Sequence, residues 1–187
     1  MKTNTQRLAG SALLAAISVV LARLIVPMPS ESTRFSIEAV PIFLAGLLYG
    51  PVYGSLVGFS ADAVGCLFSG YGYNPLFCLP PILYGMFGGL LRLVLREKLS
   101  VRKIALGFLP PVVLGSILWQ SFTLAFAYGS ARTLWESYLG FLAARSIQFA
   151  VTYVADVALV TLVCRSNLFY RLGYLPRWEG RNLYENR

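Results

Sequence analysis

The sequence predicts an all-α membrane protein of six transmembrane helices, and three observations lead to that reading. The chain of 187 residues is 57% hydrophobic and 13% charged, with a mean hydropathy of +0.65, a balance that water-soluble domains of this length do not show. Six apolar runs alternate with turn-rich or polar segments, and a backbone in hydrocarbon must satisfy its own hydrogen bonds, so each run is read as a helix. Within the third run, Gly50, Gly54, Gly58 and Asp62 recur at steps of four, so one helix face without side chains leads up to a single carboxylate. In water such a segment is a poor helix, since each Gly costs about 1 kcal/mol relative to Ala. In lipid the glycines become places where a neighbouring helix approaches closely.

The elements follow in chain order. The first span is expected at 8–26, after Lys2 and Arg7, and is kept as a helix because no convincing cleavage site follows it. Ala12 and Ala16 form a small-residue strip on it, for which helix packing inside the bundle is the plain explanation. Pro27 to Thr33 is a loop by its prolines and hydroxyls. The second helix, 35–49, is short against the roughly 20 residues that cross the hydrocarbon. Gly50-Pro51 marks a tight turn, with Pro51 suited to the first position of the third helix, 51–68. Ser69 to Pro75 is a loop carrying Tyr71, Tyr73 and Asn74. The fourth helix, 76–95, has its own glycines, Gly85 and Gly89, to complement the third. The fifth, 104–128, is expected to kink at Pro110-Pro111. The sixth covers 137–164, and a polar tail fills 165–187. Residues 1–187 read as one integral membrane domain, without internal repeats.

Most of the 16 Lys and Arg residues lie before the first span, between the fourth and fifth, and in the tail. The positive-inside rule assigns that side to the cytoplasm, so both termini are expected there in a cell membrane. The net charge of +8 is spread between apolar runs, without the clustered basic face of a nucleic-acid binder. The three cysteines include no Cys-x-x-Cys pair and read as buried thiols. Histidine is absent, which removes the commonest general base and metal ligand and weighs against a hydrolase. No metal or cofactor is expected.

On a rise of about 1.5 Å per residue, Asp62 lies on the order of 9 Å below the outer end of its helix. Gln120 and Arg145 fall at about 12 Å on the same rise, with Gln148 slightly deeper. Three helices thus offer polar groups at one depth, beneath loops carrying Arg34, Tyr71, Tyr73 and Asn74, the outline of a cup open to the outside. A buried Asp62 to Arg145 ion pair with two packing amides is the alternative. Asp156 is expected to meet Arg92 or a backbone donor near the inner face. In such a cup a carboxylate accepts paired hydrogen bonds from an amino group and a ring N–H, an arginine fork suits an anionic tail, and aromatic faces stack on a ring.

The segments Arg34-Phe-Ser-Ile-Glu-Ala-Val-Pro-Ile, Leu44-Ala-Gly-Leu-Leu-Tyr-Gly-Pro-Val-Tyr-Gly54, Ser60-Ala-Asp62 and Tyr73-Asn-Pro-Leu-Phe-Cys-Leu-Pro-Pro-Ile-Leu-Tyr-Gly85 resemble the folate-type substrate-binding (S) component of energy-coupling factor (ECF) vitamin transporters. The resemblance covers the six-helix pattern and is most specific from Arg34 to Gly89. It implies the S-component fold and capture of folate from outside. It also implies delivery inward through a membrane T component and two ATPase subunits, with Ala12 and Ala16 as the docking strip. The chain has no Gly-x-x-x-x-Gly-Lys-Ser/Thr loop of its own. Substrate contacts are expected from Arg34, Asp62, Tyr71, Tyr73, Asn74, Gln120 and Arg145. The chain departs from the family pattern at Cys78 and Pro80, where hydroxyl residues are more usual, and this bears on which vitamin is bound. An S component for another vitamin or precursor, a small intramembrane enzyme and a structural or channel protein are the competing readings.

Overall fold

The computed structural model describes residues 4–23, 37–68, 74–94, 99–129, 133–166 and 169. Among them the regular structure is helical and forms six rods. These are α1 (Asn4–Arg23), α2 (Ala39–Tyr49), α3 (Pro51–Leu67) and α4 (Leu79–Val94), the last preceded by a 3-10 turn (Pro75–Cys78). The fifth rod runs from Val101 to Tyr128 as α5 (Val101–Pro110), a π-helical stretch (Pro111–Trp119) and α6 (Gln120–Tyr128), and the sixth is α7 (Leu134–Arg165). Four stretches among the described residues, Asn4–Ala22, Pro75–Val94, Val101–Tyr128 and Leu134–Arg165, are long and apolar enough to cross a membrane.

Several boundaries differ from the sequence expectation. The second helix begins at Ala39, not at 35. Pro41 explains the start: it has no N–H to give the carbonyl of Ile37, so it sits in the first turn, where the missing donor costs nothing. At 11 residues, α2 is about 16 Å long. The last helix starts at Leu134, before the expected 137, with Glu136 in its first turn, where a carboxylate suits the positive end of the helix dipole. Around Pro110 and Pro111, both without an N–H, the rod continues and its hydrogen bonding changes to the π pattern over Pro111–Trp119.

The core is centred on α2. Its residues from Ala39 to Leu48 are all buried, as expected for a helix that is apolar all round, and α1, α3, α4 and α7 pack about it. Phe43 stacks on Phe108 at 4.4 Å between ring centroids, and Tyr84 on Phe108 at 5.3 Å, which ties α2, α4 and α5 together. Gly50, at φ 103°, makes the turn that a residue with a side chain rarely adopts. Pro51 follows as the first residue of α3.

The glycines of α3 and α4 form an antiparallel ladder. A side chain at Gly89 meets the backbone of Gly50 and Pro51, one at Gly85 meets that of Gly54, and one at Gly58 meets that of Pro81, each closer than 3.0 Å. Gly46 of α2 joins the middle rung against Gly85. One further step up the ladder stands Asp62, opposite the turn that ends in Cys78. The close approach of three backbones therefore sets the register at which the single carboxylate of α3 meets its neighbour.

Candidate functional site

Asp62 is half-buried and takes a hydrogen bond from the thiol of Cys78. Its Oδ2 is buried and has no hydrogen-bond partner among the described residues. A buried carboxylate oxygen without a hydrogen-bond partner is costly, which marks Asp62 as a functional candidate. The three cysteines are all outside disulfides, and Cys78 is buried.

The 3-10 turn that carries Cys78 is fixed at its other end. The side chain of Asn74 accepts from the N–H of Leu76 at 3.1 Å, an Asx cap of the turn. Trp119 donates its indole N–H to the carbonyl of Leu76 at 2.8 Å. The turn is thus bound on one side to α3 through Cys78 and on the other to the end of the π segment, where Gln120 follows Trp119 and is half-buried. Beyond it a row of rings runs from Trp119 to Phe122 at 6.2 Å, Phe122 to Tyr138 at 6.5 Å and Tyr138 to Trp135 at 5.8 Å.

Arg145 belongs to a second, deeper set. It is 6% exposed, donates through Nε to the carbonyl of Ser116 at 3.3 Å, and lies over the ring of Phe149 at 5.0 Å. Ser116 exchanges a hydrogen bond of 2.9 Å with the hydroxyl of Tyr84. Arg145, Gln148, Thr152 and Asp156 are all buried and share one face of α7 by their spacing of three, four and four. Asp62 therefore bonds Cys78 while Arg145 engages Ser116. The structure brings Asp62, Asn74 and Gln120 around one turn and holds Arg145 against the π segment below it. Arg34, Tyr71 and Tyr73 lie outside the described residues. Ala12 and Ala16 are exposed on α1 beside Leu13 and Ile17, while Ser11 and Ser18 face inward.

Of the two partners expected for Asp156, Arg92 is engaged elsewhere. The guanidinium of Arg92 bonds the carbonyl of Leu48, closing an open carbonyl in the last turn of α2. Asp156 is 1% exposed and its Oδ1 has no partner among the described residues; Glu38 acts on it as a like charge, not as a partner. Sequence reasoning passed over Tyr84, Ser116 and Trp119. Tyr84 and Trp119 carried a signal, since a Tyr hydroxyl or Trp N–H within an apolar run needs a partner.

The family model described as ECF-type riboflavin transporter, S component, matches residues 2–166. No curated protein matches the chain. Among solved structures, FolT bound with folic acid is similar over 86% of this chain and 97% of that one, at 25% identity and a TM-score of 0.68. The S component for biotin from an ECF-type ABC transporter is similar over 86% and 95%, at 20% identity and a TM-score of 0.54, a likeness in fold alone. With a match that spans nearly all of its helices, this chain is a multi-pass membrane protein and belongs to the family of ECF-type riboflavin transporter S components.

Proposed function

We propose that this S component captures folate, or a close pterin relative, from outside the cell and passes it inward through an ATP-driven coupling module of a T component and two ATPases. The observation that carries the reading is the buried, unpartnered Oδ2 of Asp62. A pterin edge presents an amino group and a ring N–H side by side, two donors that a carboxylate accepts together. The likeness to FolT bound with folic acid supports the same ligand. Arg145 and Arg34 are the candidates for the anionic tail, Tyr71 and Tyr73 for ring contacts, and Asn74 and Gln120 for the rim. The charge distribution supports cytoplasmic termini, and the role is binding and delivery without catalysis.

Riboflavin is the second reading, favoured by the description of the matching family. Its ring edge sets one N–H between two carbonyl oxygens, and those oxygens oppose a carboxylate. The test is equilibrium binding of folate to the purified chain in detergent, with riboflavin and biotin as competitors. Saturable folate binding that a tenfold excess (about 1.4 kcal/mol in concentration) of riboflavin leaves in place is the expected result. Displacement by riboflavin overturns the folate reading, and absence of binding by all three overturns vitamin capture.

Docking onto the coupling module is proposed to use the exposed Ala12 and Ala16, because small residues let a partner helix come close. Replacing either by Phe is expected to lower vitamin uptake in cells carrying the full transporter by about tenfold, while the detergent Kd changes by less than about threefold. Loss of binding in detergent would make the strip part of the internal packing.

A further inference from the structure

We infer that Cys78 is a positioning residue for capture: its thiol holds one oxygen of Asp62 so that Oδ2 is presented to the donors of the vitamin, an inference that rests on the binding reading above. The ladder puts the two residues together, since the rung of Gly58 against Pro81 fixes α3 on the start of α4 one turn below them. Cys78 is 4% exposed, and its turn is pinned by Asn74 and by Trp119, so the thiol is directed rather than loosely placed. The carboxylate takes this donor, and its Oδ2 has none among the described residues. A carboxylate free at both oxygens rotates about its terminal torsion, which is broad. One held by a fixed donor keeps its second oxygen in a single direction. A thiol is also a weak donor, so it orients the group while leaving its charge available to the ligand.

The test combines a spectroscopic and a binding measurement on the full chain in detergent. Infrared difference spectra of wild type and Cys78→Ala identify the S–H stretching band of Cys78, and Asp62→Asn is expected to shift that band toward a weaker hydrogen bond. In folate titrations, Cys78→Ala is expected to raise Kd about tenfold, the usual effect of a lost hydrogen bond to a charged group, and Cys78→Ser to restore most of the affinity. In the Asp62→Asn background the Cys78→Ala change is expected to have little further effect, as coupled residues require. A band that ignores Asp62→Asn overturns the inference with no vitamin involved. Equal losses from Cys78→Ala in both backgrounds also overturn it, while the folate reading stands. A coupled band together with absent folate binding instead removes the folate reading and leaves the pair structural.

Discussion

Asp62→Asn is expected to weaken folate binding by about a hundredfold, or about 2.7 kcal/mol, without loss of the fold. The amide has nearly the shape of the carboxylate, but it turns one acceptor into a donor and removes the charge. Against a ligand edge carrying two donors, one N–H then meets another, and a buried donor is left without an acceptor. The charge-assisted bond, roughly twice as strong as a neutral one, is lost as well. Stability is expected to move the other way. Oδ2 is buried without a partner among the described residues, so the wild type bears the cost of a poorly compensated carboxylate. Replacing it is expected to leave the thermal unfolding midpoint unchanged or to raise it. Folate titration and thermal unfolding in the same detergent check both halves. Wild-type affinity in the variant removes Asp62 from the site, and a lower midpoint accompanying lost affinity makes the residue structural.

That opposition between binding and stability was half legible in the sequence. The steps from Gly50 to Asp62 announce a bare helix face ending in a carboxylate, and Gly85 and Gly89 announce a second such face. Their register was not legible, because it depends on which backbone lies against which, and only the register shows that Asp62 meets Cys78. The start of α2 was legible in principle from Pro41, whose missing donor marks a first turn, but apolar content extended the expected helix to 35. The π stretch had only the two prolines as a sign, since the packing of α4 and α7 against the rod cannot be read from the rod's own residues. Depth alone pairs Asp156 with Arg92 or a backbone donor near the inner face. Depth counted along straight helices does not show that the Arg92 guanidinium goes to the carbonyl of Leu48.

The middle rung of the ladder carries the largest expected effect on folding. Gly46, Gly54 and Gly85 bring three helices together at one level, and a methyl group on any of them would meet backbone atoms closer than 3.0 Å. Backbone cannot rotate aside as a side chain can, so Gly85→Ala must separate α3 from α4. In lipid no hydrophobic force between helices makes up for this, since the tails are as apolar as the helix surfaces, and close packing supplies much of the attraction. The expected cost is about 3 kcal/mol, the upper part of the usual range for overpacking, which for a chain of this size lowers the midpoint by about 10 °C. Gly65 and Gly140 provide the control, because a methyl group there meets nothing within 4 Å among the described residues. Gly65→Ala and Gly140→Ala are expected to keep the wild-type midpoint or to raise it slightly, as Ala is the better helix former. The same rung bears on capture: forcing α3 and α4 apart at Gly85 displaces Asp62 from Cys78 higher on the ladder. The folded fraction of Gly85→Ala is therefore expected to bind folate more weakly as well. Thermal unfolding and folate titration of the three variants check this, and a Gly85→Ala protein as stable as Gly65→Ala would show that the helices do not pack backbone to backbone at that level.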